Sequence, residues 1–191
     1  MMFINWKMRE LQVKLVYYGP PLSGKTTNLE QIHGRLPPQR RSDLVSVKTR
    51  EDRTLFFDFM QLELNEIKGL RPKFKLYTVP GQVYYAATRK LVLKDVDGLI
   101  FVADSSVQRL AVNRRAMNDM WRQLKELDRS PTDIPFVLQC NKQDLPDAVD
   151  PALLGRFLNV SEAPIFPATA IDGTGTAETL KNLINQVIAR L

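Results

Sequence analysis

The chain has one cysteine, Cys140, and one histidine, His33, in 191 residues. A single cysteine excludes an intrachain disulfide and points to a reducing, cytoplasmic setting. Lying in an apolar run, Cys140 reads as a small buried hydrophobe and not as a nucleophile. A lone histidine in a helical pattern excludes a histidine-built metal centre and reads as a solvated or packed side chain. Long apolar runs are missing too. The longest, residues 98–103 (GLIFVA), falls far short of the ~20 residues that cross a bilayer. There is no internal repeat and no low-complexity segment. Residues 1–7 lack the apolar stretch of a secretory signal, position 2 is Met2, and the end Ile188-Ala189-Arg190-Leu191 lacks a prenylation box. The expectation is a protein without a lipid anchor, brought to any membrane by charge or by partners.

What is present describes a folded domain. At 21.9 kDa, with 44% hydrophobic and 25% charged residues, the chain has the length of one domain, expected to span 1–191. Lys and Arg number 27 against 21 Asp and Glu, a net charge of +6. That balance admits nucleic acid, an anionic membrane surface, a polyanionic small ligand, or solubility alone.

Apolar or alternating runs predict strands at residues 12–18, 73–79, 97–103, 135–140 and 164–168. The runs at 97–103 and 135–140 are nearly continuous in apolar residues, as strands buried on both faces are. Helical spacing is found over 26–36, 107–127, 151–158 and 176–191. Strands alternating with helices predict an α/β fold: a mostly parallel central sheet with helices on both faces, in three layers. Ligands of such sheets bind at the carboxyl ends of the strands. Residues 36–54 and 81–88 read as loops, and 55–67 as a further strand, on the sheet edge. On the 107–127 helix, Arg115, Arg122, Lys125 and Arg129 recur on one face. They read as a solvated surface, since no base-reading or stacking groups accompany them; no nucleic acid is expected.

Three motifs carry chemistry. Gly19-Pro20-Pro21-Leu22-Ser23-Gly24-Lys25-Thr26 fits G-x-x-x-x-G-K-[ST], between a predicted strand and a predicted helix that continues through Thr27. Backbone N–H groups of such a loop point at phosphate oxygens. Lys25 reaches the β- and γ-phosphates, and the Thr26 hydroxyl suits Mg²⁺. Asn141-Lys142-Gln143-Asp144 follows a strand and reads as N-K-x-D. The Asp144 carboxylate accepts from guanine N1–H and the 2-amino group, donors that adenine lacks. Asn141 is expected to bridge the base pocket to the phosphate loop, with Lys142 along the ring. Val79-Pro80-Gly81-Gln82 closes the strand at 73–79. There the Gly81 N–H faces a γ-phosphate and Gln82 orients the attacking water.

With these motifs in view, the chain resembles the small GTPases of the Ras superfamily, and most closely the MglA-like group of bacterial polarity switches. The segments VYYGPPLSGKTTNL, RTLFFDF, LYTVPGQVYY, GLIFVADS and NKQDLPDA carry the likeness, which spans nearly the whole chain. The resemblance implies a P-loop GTPase fold that binds GTP, GDP and Mg²⁺. It implies slow hydrolysis, driven by a roadblock-type (MglB-like) GAP, with exchange factors and effectors as further partners, a monomer in isolation, and recruitment to cell poles or the inner membrane surface. It makes Thr54 a second metal ligand, Arg53 an arginine finger in cis, and Thr169 and Ala170 the third base contact. Two positions depart from the pattern. Thr78 stands where Ras-type chains carry Asp, with Asp58 as a candidate substitute, and Pro21 stands where MglA-like chains have glycine. Proline there bulks the loop facing Gln82 and Arg53 and motivates an alternative: a GTP-binding scaffold with little hydrolysis. A P-loop kinase or ATPase, in which ATP competes as well as GTP, is a further alternative, as is a nucleic-acid-binding regulator suggested by charge alone. Phe56, Phe57, Phe59, Tyr84 and Tyr85 read either as core or as a partner surface that changes with nucleotide.

Overall fold

The computed structural model describes residues 2–47, 57–81 and 85–191. Among these residues, eight strands form one sheet: β1 (Phe3–Asn5), β2 (Glu10–Tyr18), β3 (Val45–Val47), β4 (Phe57–Glu63), β5 (Arg71–Thr78), β6 (Gly98–Asp104), β7 (Phe136–Asn141) and β8 (Ile165–Pro167). Their order is β3-β4-β5-β2-β6-β7-β8, with β1 paired antiparallel to β2. The pairs β5-β2, β2-β6, β6-β7 and β7-β8 are parallel, and β3-β4 and β4-β5 are antiparallel. Every residue of β6 and β7 is buried, which accounts for their nearly continuous apolar runs, interrupted in β7 by Gln139.

Five α-helices among the described residues cover the faces: α1 (Lys25–Arg35), α2 (Ala86–Leu93), α3 (Leu110–Lys125), α4 (Pro151–Phe157) and α5 (Thr176–Ile188). On one face Leu29 and Ile32 of α1 and Leu180, Leu183, Ile184 and Val187 of α5 pack on Leu15, Met60, Leu62 and Ile100. On the other, Val92 and Leu93 of α2, Met117, Met120 and Leu124 of α3 and Leu154 of α4 pack on Val16, Leu99, Phe101 and Leu138. The expected three-layer α/β architecture is therefore present. Local chemistry sets the ends. Asp150 caps α4 by accepting from Ala152 N–H and Leu153 N–H at 2.9 and 3.1 Å, with Pro151 in the first turn.

Several boundaries differ from expectation. The strand within 55–67 is not at the edge: β3, inside the stretch read as a loop, covers it. Part of the 81–88 loop is helical, because α2 begins at Ala86. The third helix runs from 110 to 125, so Arg129 lies beyond it and reaches the Val96 carbonyl at 3.1 Å. Phe57 packs against the core, Phe59 lies 4.9 Å from the Tyr77 ring between centroids, and Phe56 and Tyr84 fall outside the described residues.

Candidate functional site

The loop between β2 and α1 folds over the carboxyl ends of the central strands. Gly19 has φ 145° and a Cβ there would lie 2.3 Å from the Val102 carbonyl oxygen, so a side chain does not fit. Gly24, at φ 100°, opens α1 in the left-handed region, and a Cβ there would meet Asn141 Nδ2 at 2.2 Å. Leu22 is strained at φ 63° and exposed. Lys25 is buried, its Nζ donating to the carbonyls of Pro20 and Gly19 at 2.7 and 3.1 Å. Burial pushes its ammonium down to about 7, against the opposing pull of Asp58. The Ser23 hydroxyl is buried with no hydrogen-bond partner among the described residues.

Asn141 joins the loops. Its Nδ2 donates to the Ser23 carbonyl at 2.7 Å, and its Oδ1 accepts from Ala170 N–H at 2.8 Å. Asn141 thus bridges the phosphate loop and the β8–α5 loop, and it takes up the Ala170 N–H that the resemblance assigned to the base. Lys142, at φ 67°, directs its Nζ to Asp104 at 2.7 Å. Asp144 is exposed in the turn that follows, and Thr169 sits under the β8–α5 loop, its N–H bonded to the Thr174 carbonyl at 3.0 Å.

Below the phosphate loop lies a cluster of oxygens. Asp58, Met60 and Leu62 share one face of β4 by the two-residue period, and that face is buried. Met60 and Leu62 enter the core, while Asp58, at the end nearest α1, meets Thr26. The Thr26 hydroxyl donates to Asp58 Oδ2 at 2.6 Å, Thr78 donates to the same oxygen at 2.8 Å, and Ser46 donates to Oδ1 at 2.7 Å. Thr78 also accepts from Asp58 N–H at 2.9 Å. Hydroxyls around one carboxylate are hard oxygen donors of the kind Mg²⁺ prefers. No group of three His, Cys, Asp or Glu gathers among the described residues, so such an ion would lean on ligand phosphates and water. Thr26, Asp58, Ser46 and Thr78 border a cavity of about 420 Å³ shared with Lys25, Pro80 and Gly81.

The Pro-Gly turn is seated directly on the phosphate loop. A Cβ on Gly81 would fall 2.3 Å from Pro21 N and 2.4 Å from Pro21 Cα. From the other side Arg109 Nη2 donates to the Pro21 carbonyl at 2.8 Å. Arg53, Thr54 and Gln82 lie outside the described residues. Sequence reasoning missed Ser46, Asp104, Arg109 and the ion pair of Arg89 with Asp119 at 2.9 Å, which ties α2 to α3. None of these sits in a contiguous motif; each meets its partner only through the fold.

Known proteins resemble the chain over nearly its whole length. The model of the ADP-ribosylation factor family (Arf) matches residues 1–187. The mutual gliding-motility protein MglA of Myxococcus xanthus is 46% identical over 191 residues, covering 100% of this chain and 98% of that protein. ADP-ribosylation factor-like protein 6 of Caenorhabditis briggsae is 28% identical over 94% of this chain and 89% of its own length. ADP-ribosylation factor-like protein 2 of Arabidopsis thaliana is 22% identical over 97% and 92%.

Proposed function

The chain belongs to the ADP-ribosylation factor family of small GTPases, as an MglA-like member, and from that premise we propose that it cycles between GTP- and GDP-bound states to control cell polarity or motility. The observation that carries the reading is the Asn141 side chain. By holding Ser23 and Ala170 it ties the phosphate loop to the base loop, as the two halves of one nucleotide pocket would have to be tied.

Within that pocket Lys25 and the loop amides hold the β- and γ-phosphates, and Asp144 selects guanine by accepting its two edge donors. Mg²⁺, when bound, neutralises charge on the β- and γ-phosphates. Thr26 and Thr54 would hold it, and Asp58 would take the outer role left open by Thr78, orienting the Thr26 hydroxyl. Gln82 orients the attacking water and Arg53 offsets the charge that develops on the phosphoryl oxygens. The Gly81 turn closes on the γ-phosphate and opens when it leaves. A roadblock-type GAP, an exchange factor and effectors drive and read this cycle.

The test is phosphate release from protein loaded with GTP and Mg²⁺, alone and with a roadblock-family GAP. Slow release that the GAP accelerates, and that Gln82→Ala and Arg53→Ala abolish, is the expected result. Tight guanine binding without turnover in either condition would sink the cycling switch and leave a GTP-dependent scaffold. Pro21 favours that second reading, since proline fixes φ and removes an N–H in the loop that would face the γ-phosphate. Competition by ATP equal to that by GTP would overturn the role given to Asp144.

A further inference from the structure

The end of the sheet away from the nucleotide loops carries a different surface. Three large apolar side chains within six residues are exposed there: Phe3 by 59%, Trp6 by 73% and Met8 by 56%. Ile4 between them turns inward to the core, so the alternation of β1 sends Phe3 outward. Trp6 and Met8 stand on the turn into β2. That turn is fixed: Met8 N–H donates to Asn5 Oδ1 at 3.1 Å and Arg9 N–H to the Trp6 carbonyl at 3.4 Å. Its presentation therefore costs little further conformational entropy.

Basic side chains interleave with these apolar ones. Lys7 and Arg9 are exposed on the same turn. The Arg9 carbonyl accepts from Arg71 N–H at 2.7 Å, which brings the start of β5, and Lys68 of the preceding turn, alongside. Both Lys68 and Arg71 are exposed. Of the nearby carboxylates, Glu10 and Glu63 are held by Lys73 at 2.7 and 3.6 Å, and Glu66 is exposed in the β4–β5 turn. The balance at this end remains positive.

We propose that this hairpin tip docks the protein directly on an anionic bilayer surface. Trp6 and Met8 enter the headgroup layer while Lys7, Arg9, Lys68 and Arg71 lie against anionic lipid. An indole among basic groups suits the interface, where one side is apolar and the other wet. The shape decides against a protein partner. A stable protein interface takes about 800 Å² from each side, which a convex four-residue turn does not supply, whereas a wedge suits a fluid surface. No helix among the described residues is long and apolar enough to cross a membrane, so the contact is peripheral. The proposal uses no residue of the nucleotide pocket and stands apart from the switch reading.

Flotation of the full chain with vesicles tests it, comparing phosphatidylcholine alone with phosphatidylcholine plus phosphatidylglycerol. Binding is expected only on the anionic vesicles and should weaken as salt screens the charges. Each basic side chain contributes about fivefold to partitioning, so Arg9→Glu with Lys68→Glu should abolish it. Trp6→Ser with Met8→Ser should lower it at least tenfold, with melting temperature unchanged. In a Trp121→Phe background, Trp6 emission should shift to the blue when anionic vesicles are added. Absence of binding to anionic vesicles at low salt would overturn the proposal and return the hairpin to a protein partner. Equal partitioning of the wild type and Trp6→Ser, Met8→Ser would overturn it as well.

Discussion

Asp58 and Lys25 show how much of the pocket's chemistry rests on single side chains. Asp58 accepts from three hydroxyls on three separate segments, so Asp58→Ala removes their common acceptor without touching the core. Losing an outer partner of a metal ligand typically costs 10–100-fold in metal affinity. Titrating Mg²⁺ against GDP release should show that shift for Asp58→Ala, and an unchanged midpoint would remove Asp58 from the metal site. Lys25 makes a pH prediction. In the empty protein its pKa sits at about 7, against 10.5 for the free side chain. Between those values the unfolded chain binds more protons, so the empty protein gains stability as pH rises through that window. Phosphate oxygens would return the charge to Lys25, so nucleotide binding above pH 7 takes up a proton and weakens as pH rises. Calorimetry at pH 8 in two buffers of different ionisation heat should report uptake approaching one proton. No uptake would mean that the carbonyls of Gly19 and Pro20 already hold the charge in the empty pocket.

Among the elements, the parallel strands β6 and β7 were legible because burial on both faces writes a nearly continuous apolar run. Strand β1 and strand β3 have three residues each, too few for a period to register. Helix α2 was hidden for another reason: Val92 and Leu93 enter the core, but it buries Thr88 and Arg89 beside them and exposes Leu91, which blurs the amphipathic pattern over only eight residues. The phosphate loop and N-K-x-D could be read because each is one contiguous piece of chain with one job. The Asp58 cluster could be suspected only from the gap at Thr78, and Ser46 not at all, because antiparallel pairing of β3 with β4 brings it in. The Gly81 turn supports a prediction at this scale. In Gly81→Ala the added carbon meets Pro21 backbone, which has no flexible end to give way. The turn must lift from the phosphate loop. GTP hydrolysis should fall more than tenfold while GDP affinity and melting temperature hold; unchanged hydrolysis would show that the turn is free to settle elsewhere.

At the scale of the molecule, the phosphate-loop helix is anchored by a buried polar pair. Asn28 Nδ2 donates to Gln139 Oε1 at 2.8 Å, and Gln139 Nε2 donates back to Asn28 Oδ1 at 2.9 Å and on to Thr179 at 3.1 Å. One contact thereby links α1, β7 and α5 within an otherwise apolar core. Removing either amide leaves the carbonyl oxygen of the other buried and unpaired, while its nitrogen keeps the Gly24 carbonyl at 2.9 Å (Asn28) or Thr179 (Gln139), a loss of roughly 1–3 kcal/mol. Asn28→Leu and Gln139→Leu should each destabilise by that order, and the double variant by less than their sum, as denaturant unfolding would show. Additive losses would mean that each amide finds a different partner. A lineage of such proteins would then face a valley at these two positions, 111 residues apart. Neither amide can drift alone, so the pair should be inherited as a unit or exchanged together, and a graft of one phosphate-loop helix into another member should carry residue 139 with it.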